Sequence, residues 1–207
     1  MPVPEPFTTF EAVAAPLDMS NVDTDQIMPA RFMRRPRDER YTRYGFHDLR
    51  FDAEGRPRPE FVLNRPPFDR AGILVAARNF GVGSSREAAV YALLAMGVRC
   101  VVAESFGDIF FGNALKNGLL PVRLPAAAVD ALRAKVAAAP GMALRVDLVQ
   151  SRISAPDGTK HDFAVPAFAR ECLLRGLDEI GLTLTLSNQI DAYEAARERR
   201  DETSPHV

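Results

Sequence analysis

From residue 71 onward, apolar positions along the chain alternate between two rhythms. GILVAARNF (72–80), VRCVVAES (98–105) and LLPVRL (119–124) are short unbroken apolar runs, the pattern of strands buried on both faces. Between them, REAAVYALLAMG (86–97) and FGDIFFGNALKNG (106–118) have helical spacing and stop at Gly97 and at Asn117-Gly118. This alternation predicts βαβ units and a largely parallel sheet. PAAAVDALRAKVAAAPG (125–141) reads as another helix, with Pro125 at its start and Pro140-Gly141 at its end. ALRVDLVQSRISAPDGTKHDFAV (143–165) alternates apolar and polar, breaks at Asp157-Gly158 and alternates again, which predicts a β-hairpin. Two helical stretches follow, PAFARECLLRGLDEIGLTL and SNQIDAYEAARERR, with a frayed tail expected over 200–207.

Upstream the rhythm weakens. FTTFEAVAAPLD (7–18) reads as a strand and a turn, and MSNVDTDQIMPARFM (19–33) as an Asx-rich loop entering a short helix. Residues 34–70 are crowded with Arg, Asp, Pro and Gly, the pattern of a long lid-like loop whose charged half is solvated and mobile. Its aromatics, Tyr41, Tyr44, Phe46, Phe51 and Phe61, are too many for a pure linker. The expected fold is a single α/β domain over 1–207: a largely parallel sheet flanked by helices, the loop, and a C-terminal hairpin with helices.

Charge and composition narrow the function classes. The 26 basic side chains are balanced by 27 acidic ones. No basic stretch interleaved with aromatics stands out, so nucleic acid is not the expected partner. No apolar run approaches a membrane span, and the N-terminus lacks the pattern of a signal peptide, so the cytoplasm is the expected location. Cys100 lies in an apolar run and Cys172 in a helical pattern, and both read as small buried hydrophobes of a reducing compartment. His47, His161 and His206 are scattered, so the chain shows no ligand set for a metal or an iron–sulfur cluster.

The chemistry concentrates in RNFGVGSSREAAVY (78–91). Gly81 and Gly83 allow a sharp turn between strand and helix with room for a ligand. Ser84 and Ser85 are expected at the N-cap and first turn of the helix, where free N–H groups and the helix dipole favour an anion. Arg86 adds a planar fork for a carboxylate or phosphate, and Glu87 favours the dipole. Simpler readings compete. A Ser-Ser pair before a helix is often only a cap. Arg86 stands where a dinucleotide fingerprint has its third glycine. The Lys of a Walker loop and the pattern of a nucleophile elbow are both missing.

GVGSSRE (81–87), NVDTDQIMPARF (21–32), SFGDIFFGNALKNGLLPV (105–122) and GLDEIGLTL (176–184), in this order, resemble the small subunits of bacterial 3-isopropylmalate dehydratases, the swivelling β/β/α domains of the aconitase superfamily. The resemblance spans roughly residues 7–195. It implies interconversion of 2- and 3-isopropylmalate by dehydration and rehydration in leucine biosynthesis, active only with a large subunit that carries a four-iron four-sulfur cluster. It implies Ser84 as the general base, working as an alkoxide, and Ser85 and Arg86 as carboxylate ligands. Asp25 resembles the carboxylate that faces the partner and orients its histidine, although an Asx-turn or cap explains it equally. Thr24 shares the capping work or the binding, and Arg31 begins the segment that closes over the substrate's variable side chain. A serine acts as a base only if backbone N–H groups, a helix N-terminus and a cation hold its anion, and GVGSSR offers all three. Where the commonest family motif continues His-Ala-Pro-Trp, this chain has Ala88, Ala89, Val90 and Tyr91. That departure leaves open a dehydratase small subunit for another hydroxy-diacid, such as a citramalate- or dimethylmalate-type substrate. From a different class, a non-catalytic interaction module that regulates or binds RNA also stays open.

Overall fold

The computed structural model describes the backbone of residues 5–203 and the side chains of 5–197. Seven strands form one sheet in the order β4-β3-β2-β1-β5-β6-β7. They are β1 (Thr9–Leu17), β2 (Ile73–Ala76), β3 (Cys100–Ala103), β4 (Leu120–Arg123), β5 (Ala143–Asp147), β6 (Arg152–Ser154) and β7 (Lys160–Asp162). The strands β1 to β4 are mutually parallel, as the βαβ alternation predicts, and β5, β6 and β7 add an antiparallel flank. One strand serves both parts. The first half of β1, Thr9–Val13, pairs with β5, and its second half, Ala14–Leu17, pairs with β2.

β2 and β3 are buried at every residue, because helices cover the sheet. α3 (Glu87–Ala95) and α4 (Asp108–Lys116) connect β2, β3 and β4 and pack on each other. α5 (Ala126–Ala138) lies across β1, β2 and β3 through Val129, Leu132 and Val136. The core is one continuous cluster from Phe7 to Leu173. Burial of so many Val, Ile, Leu and Phe side chains, at about 1.5–3 kcal/mol each before chain entropy, supplies the main drive to fold.

Two expectations change. The single hairpin over 143–165 is a three-stranded meander. Its additional turn falls at 148–151, where Asp147 Oδ1 accepts from Gln150 N at 2.8 Å and Ser151 takes φ +52°. The 34–70 segment keeps its charged stretch 34–40 exposed, as expected, but is not an unstructured loop. It folds into the 3-10 helices Glu39–Arg43, Val62–Asn64 and Phe68–Arg70 and the short α2 (His47–Arg50), following α1 (Thr24–Ile27) and a 3-10 turn Ala30–Phe32. Tyr41, Phe46, Leu63 and Phe68 from this segment are buried in the main core. The C-terminal helices are α6 (Ala167–Arg175), α7 (Glu179–Leu184) and α8 (Ser187–Thr203). α8 therefore runs into the stretch expected to fray, and residues 204–207 lie outside the described residues.

Candidate active site

Beyond Ala76, the chain leaving β2 runs between two other segments. Phe80 N donates to Ser105 O at 2.9 Å, and Gly107 N donates to Phe80 O at 2.9 Å. On the other side, Gly81 N donates to Val22 O at 2.7 Å, and Thr24 N donates to Val82 O at 2.9 Å. The turns carrying NVDTD, GVGSSRE and SFGD thus converge at the carboxyl ends of the parallel strands, where open α/β sheets place their ligand sites. Gly81, at φ +74°, sits so close to the Phe110 ring that a Cβ would overlap it. Gly83, at φ +94°, passes beside Asp23 and Thr24.

α1 sets the geometry opposite the turn. Asp23 Oδ1 accepts from Gln26 N at 2.7 Å, and Gln26 Oε1 accepts from Asp23 N at 3.0 Å, a capping box that fixes the helix start. Thr24 then points inward and Asp25 outward. Thr24 is buried, and its Oγ1 donates to the Ser84 carbonyl at 2.8 Å. Its hydroxyl is therefore committed to positioning Ser84 and is not presented to a ligand.

Ser84 and Ser85 do not occupy the N-cap and first turn of α3. That expectation is corrected: α3 begins at Glu87, and Arg86 is the N-cap residue, with extended backbone (φ −129°, ψ 96°) and no side-chain cap. The ties from Val82 and Ser84 to α1 hold the chain extended and delay the helix. Both serines are exposed, and neither hydroxyl is hydrogen-bonded to a described residue. The first N–H groups of α3 are left without a side-chain cap immediately beyond them.

Arg86 is the cation of the site, with a side chain only 13% exposed and its guanidinium against the half-exposed Asp25 carboxylate. Arg86 Nη1 makes this charge contact but has no aligned hydrogen-bond acceptor. Asp25 Oδ1 also accepts from Ala30 N at 2.9 Å. Arg86 first, and the Ala30 N–H second, hold the Asp25 carboxyl below the usual carboxylate value. Arg31 is engaged in the same way. Its Nη1 donates to Asp48 Oδ2 at 2.9 Å, its Nη2 contacts Asp48 Oδ1, and this fork holds the Asp48 carboxyl down. His47 Nδ1 lies 3.2 Å from Asp48 Oδ1. His47 and Asp48 carried no signal in the sequence, since their pairing with Arg31 arises only when the 34–70 segment folds back.

No group of three or more His, Cys, Asp and Glu side chains among the described residues could hold a metal. The two cysteines are free, Cys100 within β3 and Cys172 within α6. Burial pushes both thiols up, away from the thiolate an iron site needs. The described residues offer no ligand set for an iron–sulfur cluster.

Residues 4–127 match the Aconitase C-terminal domain family, and residues 130–167 match LeuD_N. The 3-isopropylmalate dehydratase small subunit of Rhodospirillum centenum is 50% identical over 198 residues, covering 96% of this chain and 97% of that protein. The protein of the same name from Gluconacetobacter diazotrophicus is 46% identical over 195 residues, covering 94% of each. The crystal structure of 3-isopropylmalate dehydratase from Methanocaldococcus jannaschii superposes with a TM-score of 0.64 at 25% identity, over 89% of this chain and 99% of that one.

Proposed function

The chain belongs to the 3-isopropylmalate dehydratase small-subunit family, and on that premise we propose that it supplies the carboxylate-binding and proton-handling half of a hydro-lyase interconverting 2- and 3-isopropylmalate in leucine biosynthesis. The observation that supports the site assignment is the Thr24 Oγ1 hydrogen bond to Ser84 O, which fixes the backbone of an exposed serine two residues before Arg86, whose guanidinium meets Asp25. In this reading Ser84 Oγ is the base. Its anion is stabilised by Arg86 and by the uncapped N–H groups opening α3, which lower the cost of ionising a hydroxyl. Ser84 takes a carbon-bound proton during dehydration and returns one to the neighbouring carbon during rehydration. Ser85 and Arg86 bind a substrate carboxylate, which replaces Asp25 on the guanidinium fork. Asp25, so released, faces the partner and keeps the Ala30 N–H as a partner of its own. Arg31 lines the alkyl side of the site through the segment it fixes with Asp48. The exposed stretch 33–40 is the part that closes over substrate, anchored by buried Tyr41 and Phe46.

The four-iron four-sulfur cluster of the reaction belongs in our reading to a large subunit, since the described residues offer no ligand set for it, and no step of this chain's chemistry depends on placing it. The free, buried cysteines support a reducing cytoplasm. The described helices are too short or too polar to cross a membrane. The test is anaerobic reconstitution with cluster-bearing large subunits and an assay over a panel of alkylmalates. Turnover of isopropylmalate by the pair, and none by either subunit alone, is the expected result. Preference for citramalate or dimethylmalate would reassign the substrate, and an inert complex with an intact large subunit would leave a binding module.

A further inference from the structure

Helix α3 leads away from the serine turn, and its outer side is met by the segment that follows Arg31. The Arg37 guanidinium carbon lies 3.3 Å from the centroid of the Tyr91 ring. Tyr91 stands one helical turn after Glu87; burial holds its phenol above the usual value, with Arg37 drawing it down and Glu87 pushing it up. Glu87 Oε1 in turn accepts from Asn117 Nδ2 at 2.8 Å, tying the same turn of α3 to the end of α4. Further along α3, Gly45 lies so close to Met96 that a Cβ would overlap its thioether. The segment is therefore seated along the helix from Arg37 to Gly45.

Its own side chains carry that seating toward the site. Tyr41, buried, packs edge-on against Tyr44 at 5.7 Å, and Tyr44 stacks on Phe32 at 4.6 Å. Phe32 meets the His47 ring at 4.7 Å, and Arg31 lies over Phe32 at 4.5 Å. An unbroken row of rings thus joins the segment beside Arg37 to the Arg31–Asp48 pair. Packed rings transmit a displacement with little slack, because a shift at one end must be taken up by its neighbours. We propose that Arg37 and Tyr91 are positioning residues: closed on each other, they hold the 31–50 segment at a fixed distance from Ser84–Arg86 and so set the width of the wall facing the alkyl group of the substrate. Selection among alkylmalates then depends on a contact that does not touch the substrate. This rests on the functional reading above.

The test uses Tyr91→Leu, Arg37→Ala, the double variant and Tyr91→Phe, each as the full chain. In the reconstituted enzyme, Tyr91→Leu and Arg37→Ala should each raise KM for isopropylmalate roughly two- to fivefold, the factor expected of one exposed cation–π contact, with kcat almost unchanged. The double variant should be no worse than Tyr91→Leu alone, since the contact of Arg37 with the ring is lost in either case. Tyr91→Phe keeps the ring face and should restore most of the affinity. In the full chain alone, hydrogen exchange over 37–50 should quicken in the Leu and Ala variants. Exchange unchanged in Tyr91→Leu, or KM effects that simply add, overturns this proposal. A wild-type pair inert on every alkylmalate overturns instead the functional reading it rests on, and the exchange experiment keeps the two failures distinct.

Discussion

Ser84→Ala separates chemistry from folding because the structure leaves the Ser84 hydroxyl without a structural task. Ser84 is exposed, its side chain caps no helix, and its hydroxyl is hydrogen-bonded to no described residue. What holds the residue is its carbonyl, which accepts from Thr24 Oγ1 at 2.8 Å and survives the substitution. Exchange of an exposed hydroxyl for hydrogen should therefore change stability by no more than about 0.5 kcal/mol. For a chain of this size that is a shift in Tm of about 1–2 °C. The catalytic loss is of another order. Removing a general base costs at least about 10²-fold in rate, or about 2.7 kcal/mol at roughly 1.36 kcal/mol per decade. KM should move little, because Ser85 and Arg86 remain to bind the carboxylate. Thr24→Val is the companion variant: it keeps the hydroxyl of Ser84 but frees its carbonyl. It should cost about 1 kcal/mol in stability and a smaller part of the rate. The assays are thermal melts of each chain and steady-state kinetics of each reconstituted pair. A Ser84→Ala enzyme within about threefold of wild type in kcat would mean that the base lies elsewhere.

Arg86→Lys should cost about 1.5–3 kcal/mol in kcat/KM, since the ammonium keeps the charge but loses the planar fork; near-normal kinetics would make Arg86 purely structural. Gly81→Ala should lower stability by about 1–3 kcal/mol in a denaturant titration, because φ +74° and the Phe110 ring both oppose a Cβ, and a melt like that of the parent would refute the packing. The Asp25 carboxyl should titrate by NMR below the 3.8 of the free side chain, held there chiefly by Arg86. Its folded value is the depressed one, so its modest, solvent-screened stabilisation is complete above the ordinary value and disappears as pH falls through the lower one. Asp25→Asn should abolish that dependence, and an ordinary titration in the parent would mean that the pair with Arg86 does not form.

What could be read in the sequence was what local pattern encodes. The runs ILVA and CVVA are strands because every residue is buried, and that continuity is visible without a structure. The glycines of GVGSSRE likewise mark a turn that only they can make. The turn at 148–151 has no local signature because no Gly or Pro marks it; an Asx contact from Asp147 and the left-handed Ser151 make it instead. Ser-Ser is a good cap locally and predicts an earlier start for α3, but a tertiary bond from Thr24 overrides that preference. The 34–70 segment looked loose because helices of three to five residues are too short to show a period. Its order comes from burying Tyr41, Phe46 and Phe68 against distant parts of the chain. The pairs Arg86–Asp25, Arg31–Asp48 and Arg37–Tyr91 join residues far apart in sequence, and nothing in either partner's neighbourhood announces the other.

The division of β1 between two neighbours makes the two family matches inseparable as physical objects. The boundary between them, at 127 and 130, falls inside α5, a helix packed across β1, β2 and β3. A chain cut there leaves Thr9–Val13 as an open strand edge, with backbone donors and acceptors bared to any passing strand. The complementary piece, carrying β5 to β7, loses the strand on which it is templated. What looks like two modules in sequence should therefore melt in one cooperative transition, and either piece expressed alone should aggregate rather than fold.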